Sequence, residues 1–229
     1  MPDRGGILTA LVEQPALHHG QTLFYTLRHG LTELNRSKRT GVRLDVPLLE
    51  EGRRQAEEAR SNFEGTPLDV VISSTLRRAI ETAEIVIGWP RERIVLDDVA
   101  IERSFGQLEG LTQEEIRERF PLVLYLPIEH MRYSLNPPGG ESFEALRTRA
   151  RQFLERTLAA QGGKRVLLSS HQNFMQQLHG ELRGLDPYAA LRDDILNLEL
   201  NQFHLDADGR LLGHRVFQLC PDASKYPSF

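Results

Sequence analysis

An arginine and a histidine directly follow a short apolar run near the start of the chain. The run Leu23-Phe24-Tyr25-Thr26-Leu27 leads straight into Arg28-His29-Gly30. Such a run is typical of a buried strand that ends at the carboxyl edge of a sheet, where open α/β folds bind ligands. Imidazole is a competent nucleophile and guanidinium binds anions, so a catalytic site is one interpretation. Ordinary surface groups at a strand end are the other, and this segment alone does not separate the two.

Three further polar clusters follow apolar runs later in the chain. Their members are Ser73-Ser74 with Arg77 and Arg78, then Ile101-Glu102-Arg103, and finally Ser169-Ser170-His171. In a parallel doubly wound sheet the ends of the strands share one edge, so two histidines, two arginines and one glutamate converge there. The alternatives are a solvated helix start for the arginines, a surface carboxylate for the glutamate and a helix cap for the second histidine.

Together these side chains suit the transfer of a phosphoryl group. Guanidinium groups bind phosphate oxygens in a bidentate manner and keep their charge at any working pH. Neighbouring arginines also keep an imidazole neutral, as a nucleophile must be, and one glutamate can protonate a leaving alkoxide. Metal binding by the two histidines is an alternative. Carboxylates at ligand spacing are missing, however, and arginine is a poor neighbour for a cation.

The alternation of strands and helices predicts how these clusters are positioned. We predict strands that end near residue 29 and that span 68–72, 94–96 and 164–170, with helices over 49–63, 75–87, 112–120, 142–160 and up to 182. A hairpin is predicted over 198–205 and 211–219. The predicted fold class is α/β, a three-layer α/β/α sandwich with a mainly parallel sheet, helices on both faces and a C-terminal antiparallel hairpin.

Length and composition favour one domain. The 229 residues are 40% hydrophobic and 26% charged, an ordinary globular balance. We expect an N-terminal extension over residues 1–20 and a single domain over 21–229, with a lid-like insertion at about 103–141. A net charge of −4 argues against a nucleic-acid partner, and no apolar run reaches the length of a membrane span. The single cysteine, Cys220, and the lack of a signal-peptide pattern suit the cytoplasm.

Four motifs resemble those of the histidine phosphatase superfamily, the phosphoglycerate mutase-like proteins. Arg28-His29-Gly30, with Thr32 and Asn35, is similar to the family signature. Residues 74–83 resemble the second block, which selects Arg78 over Arg77. Residues 102–110 resemble the block with the proton donor, and residues 170–171 the block with the second histidine. Residues 138–142, Pro-Gly-Gly-Glu-Ser, are typical of the phosphatase branch.

The resemblance spans about residues 22–219 and implies a role for each site residue. His29 is the phosphorylated nucleophile, and Glu102 is the general acid for the leaving group and then the base for water. The phosphate-binding residues are Arg28, Arg78, His171, Asn35, Thr40 and Gln172. Gly30 is expected to let the phosphoryl group approach the backbone. No metal and no cofactor are implied.

One residue departs from the family pattern. Gln172 stands where the family usually has a glycine after the second histidine. Its backbone N–H still suits a phosphate oxygen if the backbone angle tolerates a side chain. We therefore expect the departure to bear on the substrate more than on the reaction type.

The segment between Arg103 and Pro138 favours one of three functions. It is short, net acidic and partly aromatic, which suits a monophosphate on a small organic group better than a bisphosphate. We predict a metal-independent phosphoric monoester hydrolase that forms a phosphohistidine. The alternatives are a cofactor-dependent phosphoglycerate mutase and an inactive phospholigand-binding or regulatory protein. The predicted partner is a small-molecule phosphomonoester, without nucleic acid or membrane, and a homodimer is left open.

Overall fold

A central six-stranded sheet and a separate two-stranded hairpin contain all eight strands of the computed structural model, which describes residues 15–37, 39–40 and 43–225. The strands are β1 (Thr22–Arg28), β2 (Val70–Ser74), β3 (Val95–Asp97), β4 (Tyr125–Ile128), β5 (Met131–Ser134), β6 (Arg165–Ser170), β7 (Glu199–Leu205) and β8 (Leu211–Gln218). The large sheet has the order β3-β2-β6-β1-β7-β8. Strands β3, β2, β6 and β1 pair in parallel, whereas β7 pairs in an antiparallel manner with both β1 and β8.

Helices cover both faces of the large sheet. They are α1 (Glu33–Arg36), α2 (Glu50–Phe63), α3 (Arg77–Ile87), α4 (Gln113–Arg119), α5 (Phe143–Gln161) and α6 (Gln172–Arg183). Apolar side chains of α2 and α3 pack with one face of the sheet, and those of α5 and α6 pack with the other. The predicted three-layer α/β/α sandwich and its C-terminal hairpin are therefore confirmed.

Alternate residues of β1 contribute to the hydrophobic cores on the two faces of the large sheet. Leu23, Tyr25 and Leu27 face the helices α2 and α3, whereas Phe24 faces α5 and α6. All four side chains are fully buried, as expected for a central strand covered on both faces. This burial fixes the register of β1, because a slip of one residue would exchange the two faces. The polar residues that follow β1 are thereby held at a defined point of the sheet edge.

Local signals at the helix ends agree with the sequence. Thr112 and Glu115 form a capping box at the start of α4, and the Ser142 hydroxyl caps α5. Helix α3 ends at Gly88, whose φ of 71° lies in the left-handed region that glycine tolerates best. Two predicted elements are displaced by two residues, and one of them is α3, which begins at Arg77 rather than at residue 75. Strand β2 begins at Val70 and continues to Ser74, two residues later than expected at both ends.

The expected insertion over 103–141 contains α4 and the antiparallel hairpin β4–β5. This hairpin was not predicted from the sequence. The proposed N-terminal extension stays a prediction, and its residues 1–14 lie outside the described residues. Among the helices of the described segments, none is both long enough and apolar enough to cross a bilayer.

Candidate active site

The predicted polar clusters meet at the carboxyl edge of the parallel strands. Strands β1 and β6 pair in parallel with Arg28 opposite Ser170, so His29 and His171 emerge side by side. Their ring centroids lie 5.2 Å apart at an angle of 54°. Both side chains are buried. Neighbouring parallel strands thus place two imidazoles together although they lie far apart in the sequence.

His29 has one ring nitrogen engaged and the other available for a substrate. Its Nδ1 lies 2.8 Å from the Gly30 carbonyl oxygen. A carbonyl only accepts, so Nδ1 carries the proton and Nε2 carries the lone pair. Burial, followed by the charges of Arg78 and Arg28, lowers the pKa of His29 well below its usual value. The imidazole is therefore neutral at physiological pH, with a nucleophilic nitrogen.

The backbone on either side of this imidazole is held firmly. Leu198 N–H donates to the Arg28 carbonyl at 3.2 Å, and the Asn197 amide donates to the His29 carbonyl at 2.7 Å. Leu198 adopts a φ of 57°, which is rare for a branched side chain and persists only where the surroundings enforce it. Strand β7, which begins at Glu199, thus anchors the end of β1 through the two residues before it.

Two buried arginines supply positive charge. Arg28 donates to the Ile195 carbonyl at 2.5 Å, and Arg78 donates to the Leu44 carbonyl at 3.0 Å. Burial lowers the pKa of both, and that of Arg78 falls to about 10. The guanidinium group of Arg78 is therefore still charged near pH 7. Arg78 rather than Arg77 lines the first cavity described below, whereas Arg77 pairs with Glu81 at 2.6 Å.

His171 lies behind His29 and is held by Ser74. Its Nε2 lies 2.7 Å from the Ser74 hydroxyl oxygen, which also accepts the Leu76 N–H at 3.3 Å. Its Nδ1 is buried without a hydrogen-bond partner among the described residues. Burial, and then the charge of Arg78, lowers the pKa of His171 well below its usual value. His171 is thus a second neutral imidazole with one free nitrogen.

Glu102 is fixed by the first turn of α6. Its carboxylate accepts N–H groups from Phe174 at 3.2 Å, Asn173 at 3.3 Å and Arg103 at 2.8 Å. The N-terminus of a helix presents unpaired N–H groups and favours a negative charge. The loop after β3 therefore delivers this carboxylate to the same sheet edge as the histidines.

A second carboxylate fixes the loop that carries Glu102. Glu141 accepts two hydrogen bonds from Arg149, at 2.9 and 2.7 Å, and Arg149 also donates to the carbonyls of Val99, Ile101 and Glu102. Burial opposes the ionisation of Glu141, yet the hydrogen bonds from Arg149 leave its pKa below the usual value. The Pro-Gly-Gly-Glu-Ser segment thus positions Glu102 through Arg149.

Removing this pair should loosen the site without removing a reacting group. For Glu141→Gln we expect the free energy of unfolding to fall by about 1–3 kcal/mol, because a half-buried, charge-assisted bidentate pair is lost. We also expect kcat to fall more than KM changes, since Glu102 shifts while the phosphate site stays intact. Urea unfolding and steady-state kinetics measure both. Glu144→Gln, at an exposed carboxylate bonded to Tyr188, is the matched control, and equal effects of the two variants would contradict a positioning role.

An open cavity, here called the first cavity, lies at this sheet edge. It has about 540 Å³ of empty space, part of it open to solvent. Its lining residues are Arg28, His29, Thr32, Leu34, Asn35, Arg39, Arg78, Glu102, Phe105, Gln172 and Asn173. Six of the eight predicted site residues therefore line it. His171 lies directly behind its wall, beside His29.

Thr40 is not brought to the first cavity. Its hydroxyl donates to the Leu111 carbonyl at 2.9 Å. It lines a neighbouring space, the second cavity, which has about 390 Å³ of empty space that is also partly open to solvent. The second cavity is lined by Thr40, Phe105, Leu108, Gln113, Ile116, Tyr125, Met131, Arg132, Tyr133, Ser134 and Asn173.

A capping box orients Asn35 in the first cavity. The Asn35 side-chain oxygen accepts both the Thr32 N–H, at 3.1 Å, and the Thr32 hydroxyl, at 2.8 Å. The amide NH₂ group is therefore the end of the side chain that is left to donate to an anion. The Thr-x-x-Asn spacing at the start of the short helix α1 is the sequence signal for this arrangement.

Sequence reasoning missed Arg39 and Asn173 and misplaced the role of Gly30. Arg39 adds a third cation to the first cavity, and it donates to the Gly110 carbonyl at 2.6 Å. A Cβ atom at Gly30 would meet the Gly52 carbonyl oxygen at 3.3 Å rather than the first cavity. Gly30 thus permits close packing against α2, and the expectation that it admits the phosphoryl group is wrong.

Comparison with known proteins agrees with this geometry. A profile described as "Histidine phosphatase superfamily (branch 1)" matches residues 24–216. The chain belongs to this superfamily. A bifunctional protein of Mycobacterium tuberculosis is 33% identical over 195 residues, covering 81% of this chain and 51% of the relative. The chain thus spans about half the length of the mycobacterial relatives that it matches.

Two other proteins match over most of their length. A 2,3-bisphosphoglycerate-dependent phosphoglycerate mutase of Parvibaculum lavamentivorans is 31% identical, covering 82% of this chain and 92% of the mutase. The alpha-ribazole phosphatase of Shigella flexneri has the same fold, with a TM-score of 0.73 at 21% identity, covering 86% and 96% of the two chains.

Among the described residues, His29 and His171 belong to no cluster of side chains that suits a metal ion. Across the described ranges, no three His, Cys, Asp or Glu side chains form a group that suits a metal ion. The neighbours of His29 and His171 are instead Arg28 and Arg78. This donor set suits an anion.

Proposed function

We propose that the chain is a phosphomonoester hydrolase that works through a phosphohistidine on a small organic phosphate. The observation that supports it best is His29: a neutral imidazole, with Nδ1 bonded to the Gly30 carbonyl and Nε2 available, beside Arg28 and Arg78 in an open cavity. Arginines neutralise the oxygens of a transferring phosphoryl group, which is most of what this chemistry requires from a protein.

In the first step, the Nε2 lone pair of His29 attacks phosphorus and the bond to the ester oxygen breaks. Glu102 enters this step in its protonated form and donates that proton to the leaving alkoxide, and Arg28, Arg78 and the Asn35 amide stabilise the phosphoryl oxygens. His171 contributes through Nδ1 when the Ser74 hydroxyl donates to its Nε2, because Nδ1 then carries a proton. The product alcohol departs.

In the second step, water attacks the phosphohistidine. Glu102 accepts a proton from the water. The water oxygen bonds to phosphorus at the same time, and the N–P bond breaks. The electron pair returns to Nε2, and inorganic phosphate leaves. The same carboxyl group thus serves as acid and then as base, and the enzyme returns to its starting state without a metal or cofactor.

The lining of the second cavity supports a phosphatase over a mutase. A phosphoglycerate mutase must hold a second anionic group beyond the transferred phosphoryl group. Among the described residues that line the second cavity, the one cation is Arg132, which is exposed and lies 4.7 Å over the Tyr125 ring. The relation to a mutase at 31% identity makes this the alternative to test.

Trapping the intermediate tests the proposal. The protein is mixed with p-nitrophenyl phosphate, quenched in base, digested and analysed by mass spectrometry. We expect an acid-labile phosphate on the peptide that contains His29. No adduct, or an adduct elsewhere, would contradict the mechanism.

Incubation with 3-phosphoglycerate separates the alternatives. Release of phosphate supports a hydrolase, and formation of 2-phosphoglycerate that depends on a bisphosphate primer supports a mutase. If neither product forms, the result supports an inactive ligand-binding protein.

A further inference from the structure

Two nearly buried amide side chains, those of Gln172 and Asn173, stand at the start of α6 and line the first cavity. Gln172 is 5% exposed and Asn173 is 8% exposed. Gln172 is also the residue that departs from the family pattern. Within the described residues, neither side-chain amide forms a hydrogen bond, although a buried amide is normally paired. Both amides are therefore left to bond to a molecule in the first cavity.

The two amides present opposite atoms to that cavity. The side-chain nitrogen of Gln172 and the side-chain oxygen of Asn173 are fully enclosed by the protein, so neither meets a ligand. The atoms that keep accessible surface are the Gln172 oxygen, which accepts, and the Asn173 NH₂ group, which donates. The first cavity therefore contains one acceptor and one donor on adjacent residues.

Glu102 lies at the same turn of α6. Its carboxylate accepts the backbone N–H groups of Asn173 and Phe174, the two residues that follow Gln172, and it lines the first cavity as well. In the proposed function Glu102 takes a proton from the attacking water. The two amides thus stand beside the carboxylate that must meet this water.

These three groups match the bonding pattern of one water molecule. Water has two O–H groups and two lone pairs. Glu102 and the Gln172 oxygen can accept the two O–H groups, and the Asn173 NH₂ group can donate to one lone pair. The other lone pair is left to face phosphorus. A water held in this way is oriented before it attacks, which lowers the entropic part of the barrier.

We propose that Gln172 and Asn173 are water-positioning residues that speed the hydrolysis of the phosphohistidine. The inference rests on the proposed function, because it concerns the second step of that reaction. Glu102 takes one water proton while the water oxygen bonds to phosphorus, the N–P bond breaks, and its electron pair returns to Nε2 of His29. The second proton stays on the oxygen, bonded to Gln172, and leaves with the phosphate.

A direct contact between the Gln172 side chain and the phosphoryl group is disfavoured. Phosphoryl oxygens accept hydrogen bonds, and the accessible atom of the Gln172 side chain is also an acceptor. The phosphate contact expected for Gln172 concerns its backbone N–H, which every residue type except proline supplies. A glycine at this position would keep that contact but would provide no acceptor for water.

Competition between water and ethanol tests the inference. The protein hydrolyses p-nitrophenyl phosphate in aqueous ethanol, and phosphorus NMR measures the ratio of phosphate to ethyl phosphate. Ethanol has a single O–H group, which Glu102 accepts, so it gains nothing from the Gln172 oxygen. Gln172→Met keeps the length of the side chain and removes this acceptor. We expect the ratio to fall by about three- to tenfold, the worth of one hydrogen bond.

The same variant should leave the first step intact. The initial burst of p-nitrophenolate, which measures phosphorylation of His29, should stay within about twofold of the wild-type rate, because Gln172 acts after the alcohol departs. The product ratio does not depend on the amount of folded protein. A merely structural defect would therefore lower turnover without changing the ratio.

Three other variants serve as controls. Gln172→Glu keeps an acceptor oxygen, so its ratio should stay within about twofold of wild type even if repulsion of the phosphoryl group slows turnover. Asn173→Leu removes a donor that water and ethanol both use, so the phosphohistidine should decay about three- to tenfold more slowly at an unchanged ratio. Gln107→Met changes an exposed glutamine outside both cavities and should change neither quantity.

The results separate this inference from the proposed function. A wild-type ratio in Gln172→Met, or a burst slowed as much as the decay, would show that Gln172 does not position water, although a phosphohistidine on His29 would keep the hydrolase standing. Absence of any adduct on His29 in the wild-type protein would overturn both. A lower ratio in Gln172→Met that Gln172→Glu restores would support the water-positioning role.

Discussion

Replacement of His29 by asparagine should abolish turnover, with kcat/KM for p-nitrophenyl phosphate and for alkyl phosphates lower by at least about 10⁴-fold. Asparagine keeps a polar side chain of similar size, but its amide nitrogen has no basic lone pair with which to attack phosphorus. Because the loss concerns the nucleophile, we expect it with good and poor leaving groups alike. Release of phosphate measures the rate, and mass spectrometry measures the trapped adduct.

Two other variants make this result specific. His204→Asn changes a histidine on β7 opposite Leu23, at the far end of β1, and should leave turnover within about twofold. Glu102→Gln keeps the nucleophile and should lower turnover by about 10²–10⁴-fold. With p-nitrophenyl phosphate, whose leaving group needs no acid, the phosphoenzyme should accumulate in that variant. A His29→Asn protein that retains a tenth of wild-type activity would remove the proposed mechanism.

Acid should destabilise the folded protein from about pH 6.5 downwards. Burial lowers the pKa of His29, His171 and His179 well below 6.5, and that of His214 to about 4. Below pH 6.5 the unfolded chain therefore binds protons that the folded chain does not bind. The free energy of unfolding is highest above this pH and decreases as the pH falls. At pH 5.5 a histidine that stays neutral in the fold loses about 1.4 kcal/mol, so the four together lose up to about 5–6 kcal/mol.

Such a loss is comparable with the whole stability of many domains, about 5–15 kcal/mol. Urea unfolding at intervals between pH 8 and 5.5 measures it. His29→Asn removes one of the four groups and should reduce the slope of unfolding free energy against pH by about a quarter, whatever its effect on absolute stability. A free energy of unfolding that stays constant from pH 8 to 5.5 would show that the four histidines titrate normally in the fold.

Much of the candidate site could be predicted because each of its clusters follows a short apolar run. Arg28-His29 and Ser170-His171 sit directly after β1 and β6, whose continuous apolar sequences are typical of central parallel strands. Parallel strands bring their carboxyl ends to one edge, so adjacency of the clusters follows from topology. Arg78 and Glu102 followed from the same reasoning and from the family motifs.

The hairpin β4–β5 could not be predicted because its local sequence argues against a strand pair. Pro127 interrupts β4 and cannot donate to a ladder, which is tolerated because the sheet has only two strands. The turn residue Glu129 has a φ of 51°, a conformation that glycine or asparagine normally supplies. Tertiary packing of Met131 and Tyr133, both buried, stabilises the hairpin instead.

The sequence by itself determined the chemistry of this protein, because residue types and their positions after strands are local properties. A nucleophilic imidazole, arginines for an anion and one carboxylate are all readable in that way. Only the tertiary structure decided how they are oriented. Nδ1 of His29 bonds to the Gly30 carbonyl, Glu102 accepts N–H groups of α6, and Thr40 lines the second cavity rather than the first. These outcomes depend on side-chain directions and on contacts between distant segments, which no local pattern encodes.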